Sequence, residues 1–147
     1  MPKPITQTTT GAVITITFTF ISGVGGNRTY AQGVKMKSSA KIQELNDKLR
    51  HNILSPIGLG QVVCTPVVSN LSFKDKLGLL CAIGRYNDFN PNNDPYGEHD
   101  YGSLNYMGEQ YCFKIDYYDK DLIYHSDDPS DPTITNRVLT IMHMSEY

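Results

Sequence analysis

The sequence predicts an α+β fold, an antiparallel sheet of about four to five strands with two helices packed on one face. Three observations point there. Tyr111, Phe113, Ile115 and Tyr117 alternate with Cys112, Lys114, Asp116 and Tyr118 at the period of a half-buried strand. Ile42, Leu45 and Leu49 recur at helical spacing. Clusters of Gly, Pro, Asn and Asp separate such segments into short elements, and no internal repeat or sustained heptad is present.

The length of 147 residues fits one compact domain, read here as residues 38–147, preceded by an extension over 1–37. In the extension, Val13, Thr15, Thr17 and Thr19 alternate with Ile14, Ile16, Phe18 and Phe20, which predicts a threonine-rich strand. This run is too short and too rich in threonine to span a bilayer as a helix, so no membrane association is expected. Pro4 and the threonine series fit a secretory leader poorly. Gly23, Gly25 and Gly26 mark a loop without a phosphate-loop lysine.

A first helix is expected over about Ala40 to Arg50, capped by Ser38 or Ser39, with Lys41, Glu44, Lys48 and Arg50 facing water. Pro56, Gly58 and Gly60 end that region, and the apolar run from Gln61 predicts a short or edge strand stopping before Pro66. Ser72 is placed to cap a second helix from Phe73 to about Tyr86, with Phe73, Leu77, Leu80 and Cys81 inward and Gly84 near its end. Two strands joined at Met107-Gly108 follow, then a short third strand over Asp121 to His125. After the acidic turn from Ser126 to Pro132, the VLTIM segment is open to strand or helix; a terminal strand near Arg137 to His143, preceded by a short helical or turn segment, is the favoured reading.

Charge is unevenly distributed. Up to Tyr86 the acids are Glu44, Asp47 and Asp75 alone, whereas from Asp88 to Asp131 the bases are Lys114 and Lys120 alone. The acidic half disfavours phosphate binding there, and Lys35, Lys37, Lys41, Lys48 and Arg50 are the candidates for any nucleic-acid contact. Cys64, Cys81 and Cys112 are odd in number and widely spaced, which fits free thiols in a reducing, cytoplasmic setting.

Chemistry is expected in Asp88 to Asp119, where Asn90-Pro91, Asp94-Pro95 and Gly97 make a loop that presents Asp94, Glu98, His99 and Asp100. Asp94, Glu98, His99 and Asp116 are donors of the type that hold a divalent metal, although their spacing matches no established metal motif. The simpler reading is that the acids satisfy turn backbone and a carboxylate anchors His99. The sequence implies no cofactor. Ten tyrosines and no tryptophan make aromatic contact the other theme. Asp94, Glu98, His99, Asp100, Tyr101, Tyr106, Asp116 and Tyr118 are the candidate partner-binding residues.

IQELNDKLR, FNPNNDPYGEHDYG, FKIDYYDKDL and SDDPSDPTITNRVLTIMHMSEY occur in that order, and on them the chain from about Lys41 to Tyr147 resembles the bacterial domain-of-unknown-function family 3768. The resemblance implies an accessory role near mobile elements, including counter-defence, and assigns no catalytic residue. The expected function is a protein-interaction or accessory protein that masks or scaffolds a partner through an acidic, tyrosine-rich hairpin surface. The alternatives are a metal-dependent hydrolase acting on a phosphate-containing substrate and a nucleic-acid-binding module. The sequence leaves the oligomeric state open.

Overall fold

The computed structural model describes residues 35–147. The threonine-rich strand, the glycine loop and the leader reading fall outside them, as do the side chains of Lys35 and Lys37. The elements are α1 (Lys35–His51), β1 (Gln61–Cys64), α2 (Pro66–Ser69), α3 (Phe73–Gly84), β2 (Tyr101–Tyr106), β3 (Glu109–Tyr118) and β4 (Asn136–His143), followed by a 3₁₀ turn over Met144–Glu146. The class is α+β.

The four strands lie in the order β1-β4-β3-β2. β3 is antiparallel to both β2 and β4, but β1 joins β4 in parallel, with Val62 opposite Leu139. The sheet is therefore mixed rather than wholly antiparallel. Its parallel pair joins strands more than seventy residues apart, a relation no local pattern encodes. β1 stops before Pro66, which takes the first position of α2, where a missing N–H costs nothing. Glu146 reaches back to this junction: its Oε2 accepts from Thr65 Oγ1 at 2.5 Å and its Oε1 from the Val67 N–H at 3.1 Å.

The hairpin turns at Met107 and Gly108, with φ of 55° and 84°. Two successive left-handed residues match the twist of the flanking strands. The register puts Tyr111, Phe113, Ile115 and Tyr117 beside Leu139 and Ile141 on one face, where the core forms with Val62, Leu49, Leu79 and Ile83. Helices α1 and α3 cover this face.

Four local expectations are corrected. Helix α1 starts at Lys35, so Ser38 and Ser39 lie inside it rather than capping it. Arg50 is 2 % exposed instead of facing water, because it closes the end of α3. Ser72 does cap α3, accepting from the Asp75 N–H at 3.1 Å, but Leu79 and Ile83 point inward while Phe73 is 83 % exposed. The helix is apolar nearly all round, so its periodicity has no unique phase. Asp121–His125 is no strand: a single bridge, His125 to Tyr118, is all the pairing it makes.

Gly78, unfavourable within α3 on propensity, has a packing role. A Cβ there would lie 2.0 Å from the Tyr106 hydroxyl, so glycine lets the β2 tyrosine lie across the helix.

Candidate functional site

Asp94 begins the local order. Its side chain is buried, and its carboxylate accepts the backbone N–H groups of Glu98 at 3.0 Å and His99 at 3.2 Å. That pair of bonds closes the loop over Pro95–Gly97 and holds His99 at φ 55°. The left-handed backbone aims the imidazole at α1, where Nδ1 lies 3.0 Å from both carboxylate oxygens of Asp47. Gln43 Nε2 approaches the other ring nitrogen at 3.2 Å. Phe89 stacks on the ring at 3.7 Å, with the planes 6° apart.

Asp47 also accepts from Arg50 Nη2 at 2.6 Å. The same guanidinium donates to the carbonyls of Ile83, Gly84 and Tyr86. These are carbonyls at or just beyond the end of α3, where intrahelical partners run out. Arg50 lies over Phe89 at 5.2 Å, so charge, stacking and carbonyl closure meet on one side chain.

A second chain of contacts runs parallel to the first. Asn46 is fully buried; its Nδ2 donates to the Glu98 carbonyl at 2.9 Å and to the Tyr117 hydroxyl at 2.7 Å, and its Oδ1 accepts from Arg137 Nε at 3.1 Å. Tyr117 in turn donates to Glu98 Oε2 at 3.3 Å. Burial pushes the Glu98 carboxyl above the usual carboxylate range, with Asp100 adding to the shift. Burial likewise raises Asp100, whose neighbours Asp94 and Asp116 contribute further. The Tyr117 hydroxyl is raised strongly, first by burial. Burial lowers the Arg137 guanidinium.

The loop thus brings Asp94, Glu98, His99 and Asp100 close together, with the polar atoms of Asp94, Glu98 and His99 turned on α1, on β3 and on backbone. Chemically this is a clamp: α1 and the loop before β2 are tied together by charge-assisted hydrogen bonds. Asp116 does not join it. Alternation along β3 puts Asp116 on the face opposite Tyr117, where it pairs with Lys114 at 2.8 Å, whereas His99 faces α1. Among the described residues, no three His, Cys, Asp or Glu side chains are arranged to hold a metal ion.

Asp47, Asn46 and Gln43 carry half of this cluster, and sequence reasoning missed them. Asn46 left a signal: it lies four residues after Ile42 and three before Leu49, a polar residue on the stripe that faces the core. Of the basic candidates, Lys41 and Lys48 pair with Glu44 at 3.0 and 2.6 Å, and Arg50 is closed to any phosphate.

The tyrosines divide by face. Tyr106 is half-buried against the core cluster beside Gly78. Tyr101 and Tyr118 lie on the sheet face away from the helices, with Asp116 and Lys114 between them in register. Tyr101 meets the Tyr147 ring at 5.6 Å, and Tyr118 stacks on His125 at 6.1 Å with planes 7° apart.

Beyond β3 the chain makes a pinned loop. The Asp119 carboxylate accepts from the N–H groups of Ile123 and Tyr124, Asn136 Nδ2 donates to the carbonyls of Asp119 and Lys120, and Arg137 donates to the Pro129 carbonyl. Thr135 is buried and bonds Ser126 and the Asp128 carbonyl. The loop holds Leu122, Ile123, Tyr124 and Ile134 out to solvent.

Among the described residues, no helix is long and apolar enough to cross a membrane. No curated protein and no solved structure matches the chain. The model of one family, described as "Protein of unknown function (DUF3768)", matches residues 64–146, from the end of β1 through the 3₁₀ turn and without α1. That match covers more than half of the sequence, and the chain belongs to this family.

Proposed function

We propose that the chain is an interaction protein of the cytoplasm that masks or scaffolds a protein partner without covalent chemistry, through the sheet face opposite α1 and α3. The observation that carries this reading is the register of β2 and β3. It sets Tyr101, Lys114, Asp116 and Tyr118 on one face, together with the buried Cys112 and Met142, while the main core cluster occupies the other. Two of these rings are already fixed against Tyr147 and His125. Rings held in place before binding lose little side-chain entropy when a partner arrives, and tyrosine offers both apolar area and a hydroxyl. Asp116 and Lys114 supply charge of both signs between them, suited to fixing orientation. The polar cluster around His99 supports this reading from behind, since it ties the strand-bearing half to α1.

The test is affinity capture with the tagged full chain beside an Asp116→Asn/Tyr118→Ser variant. The expected result is a protein recovered by the first and lost by the second, with both chains melting at the same temperature. Recovery of the same proteins by both, or of none above an untagged control, overturns the reading.

A further inference from the structure

We infer that the loop from Asp119 to Ile134 is a docking element for a lysine- or arginine-rich segment of another protein that carries a bulky apolar anchor. This names the partner class for the surface proposed above and rests on that reading, because the Tyr118–His125 stack joins the loop to the sheet face.

The apolar side comes first. Ile123 is 67 % and Tyr124 73 % exposed, on a loop whose backbone is held from within. Leu122 and Ile134 are also exposed. An open hollow of about 460 Å³ takes in Tyr124 and Ile134 of these four, lined by Asp119, Lys120, Tyr124, His125, Asp127 and Ile134. A hydrogen-bonded loop that groups four exposed apolar side chains, two of them at a hollow, differs from scattered surface residues, and it has the form of an anchor site.

The charge decides the occupant. Residues 119–131 hold five aspartates against one lysine. Asp119, Asp128 and Asp131 accept hydrogen bonds from the loop's own backbone. The Asp131 carboxyl is accordingly held below the ordinary range, chiefly by Thr133. Asp121 and Asp127 are exposed, and Asp127 lines the hollow. The lysine lines the hollow, but its ammonium is engaged, Lys120 Nζ donating to the carbonyls of Pro132 at 3.0 Å and Thr135 at 3.1 Å. A nucleic acid would be repelled, and an acidic or purely apolar segment would leave the carboxylates unanswered.

The probes are fluorescein-labelled twelve-residue peptides rich in Lys and Arg, each with one Leu, Phe or Trp. Oligolysine of the same length is the control, and binding to the full chain is read by fluorescence anisotropy at low and high salt. Anchored basic peptides should bind. Ile123→Ser/Tyr124→Ser should weaken them by at least about tenfold, the value of one buried large apolar anchor. Asp121→Asn/Asp127→Asn should lower the salt dependence. Equal binding of oligolysine, indifference to both pairs of substitutions, or no binding at all overturns the inference. So does self-association in sedimentation that the Ile123/Tyr124 substitutions abolish, which would make a second copy the occupant. If the Asp116/Tyr118 variant loses its captured protein while both loop variants keep it, the loop assignment fails and the sheet-face reading stands.

Discussion

Nδ1 of His99 lies 3.0 Å from each carboxylate oxygen of Asp47, joining residues 52 positions apart. This contact fixes α1 to the loop ahead of β2. His99→Ala removes it together with the ring stacked on Phe89, and a loss of about 1–3 kcal/mol is expected by urea denaturation. In a double-mutant cycle with Asp47→Ala, the coupling should reach at least about 0.5 kcal/mol. Simple additivity would show that the pair contributes nothing as a pair.

Arg50 should be less replaceable than its exposed neighbours. It answers the Ile83, Gly84 and Tyr86 carbonyls and the Asp47 carboxylate at once. Arg50→Ala leaves those acceptors without a partner in a closed site, at a cost of about 3–5 kcal/mol. Arg50→Lys recovers little, since an ammonium cannot match the planar fork. Full stability in the lysine variant would refute this account.

Stability should carry a pH dependence from Glu98. Its folded carboxyl holds a proton more tightly than in the unfolded chain, first because of burial and then because of Asp100. Between the ordinary glutamate value and the raised folded one, the native state binds more protons, so this contribution falls as pH rises. It is fully present below the unfolded value and lost as pH passes the folded one. Glu98→Gln keeps an acceptor for Tyr117 and removes the charge. The variant should gain on the wild type as pH rises from about 4.5 to 7, judged from paired urea midpoints. A constant difference across that range would exclude the effect.

Gly78 and Tyr106 make a testable steric pair. Gly78→Ala favours helix by about 1 kcal/mol on propensity, yet the new methyl meets the Tyr106 hydroxyl at 2.0 Å and its Cζ at 3.1 Å. The net expectation is destabilisation of about 1–2 kcal/mol. Adding Tyr106→Phe removes the nearest atom and should recover much of the loss. A stabilised single variant would mean that the ring moves aside freely.

The parts of the fold legible in the sequence are those that local chemistry specifies. Met107-Gly108 declares a two-residue turn, Ser72 declares a helix start, and the alternation from Tyr111 to Tyr117 declares which face is inside. Elsewhere the pattern is degenerate. In α3 apolar residues occupy nearly every direction, so Phe73 and Leu77 read as core when Leu79 and Ile83 fill it. Leu122-Ile123-Tyr124 has strand propensity, but Asp119 captures the backbone N–H groups that a ladder would need. Asp94 and His99 were legible as a loop anchored by a carboxylate. That the anchoring carboxylate on the imidazole is Asp47 depends on a meeting across the chain that no local signal reports.

The position of β4 between β1 and β3 has a consequence for synthesis on the ribosome. Both neighbours emerge before the strand that unites them, and Asn46 waits nearly the whole length of the domain for Arg137. A nascent chain halted before Asn136 therefore holds a β2–β3 hairpin and an orphan β1 with open apolar edges, the kind of surface chaperones and proteases survey. Release of Asn136 to His143 closes both edges in one event, so quality control and folding compete over eight residues.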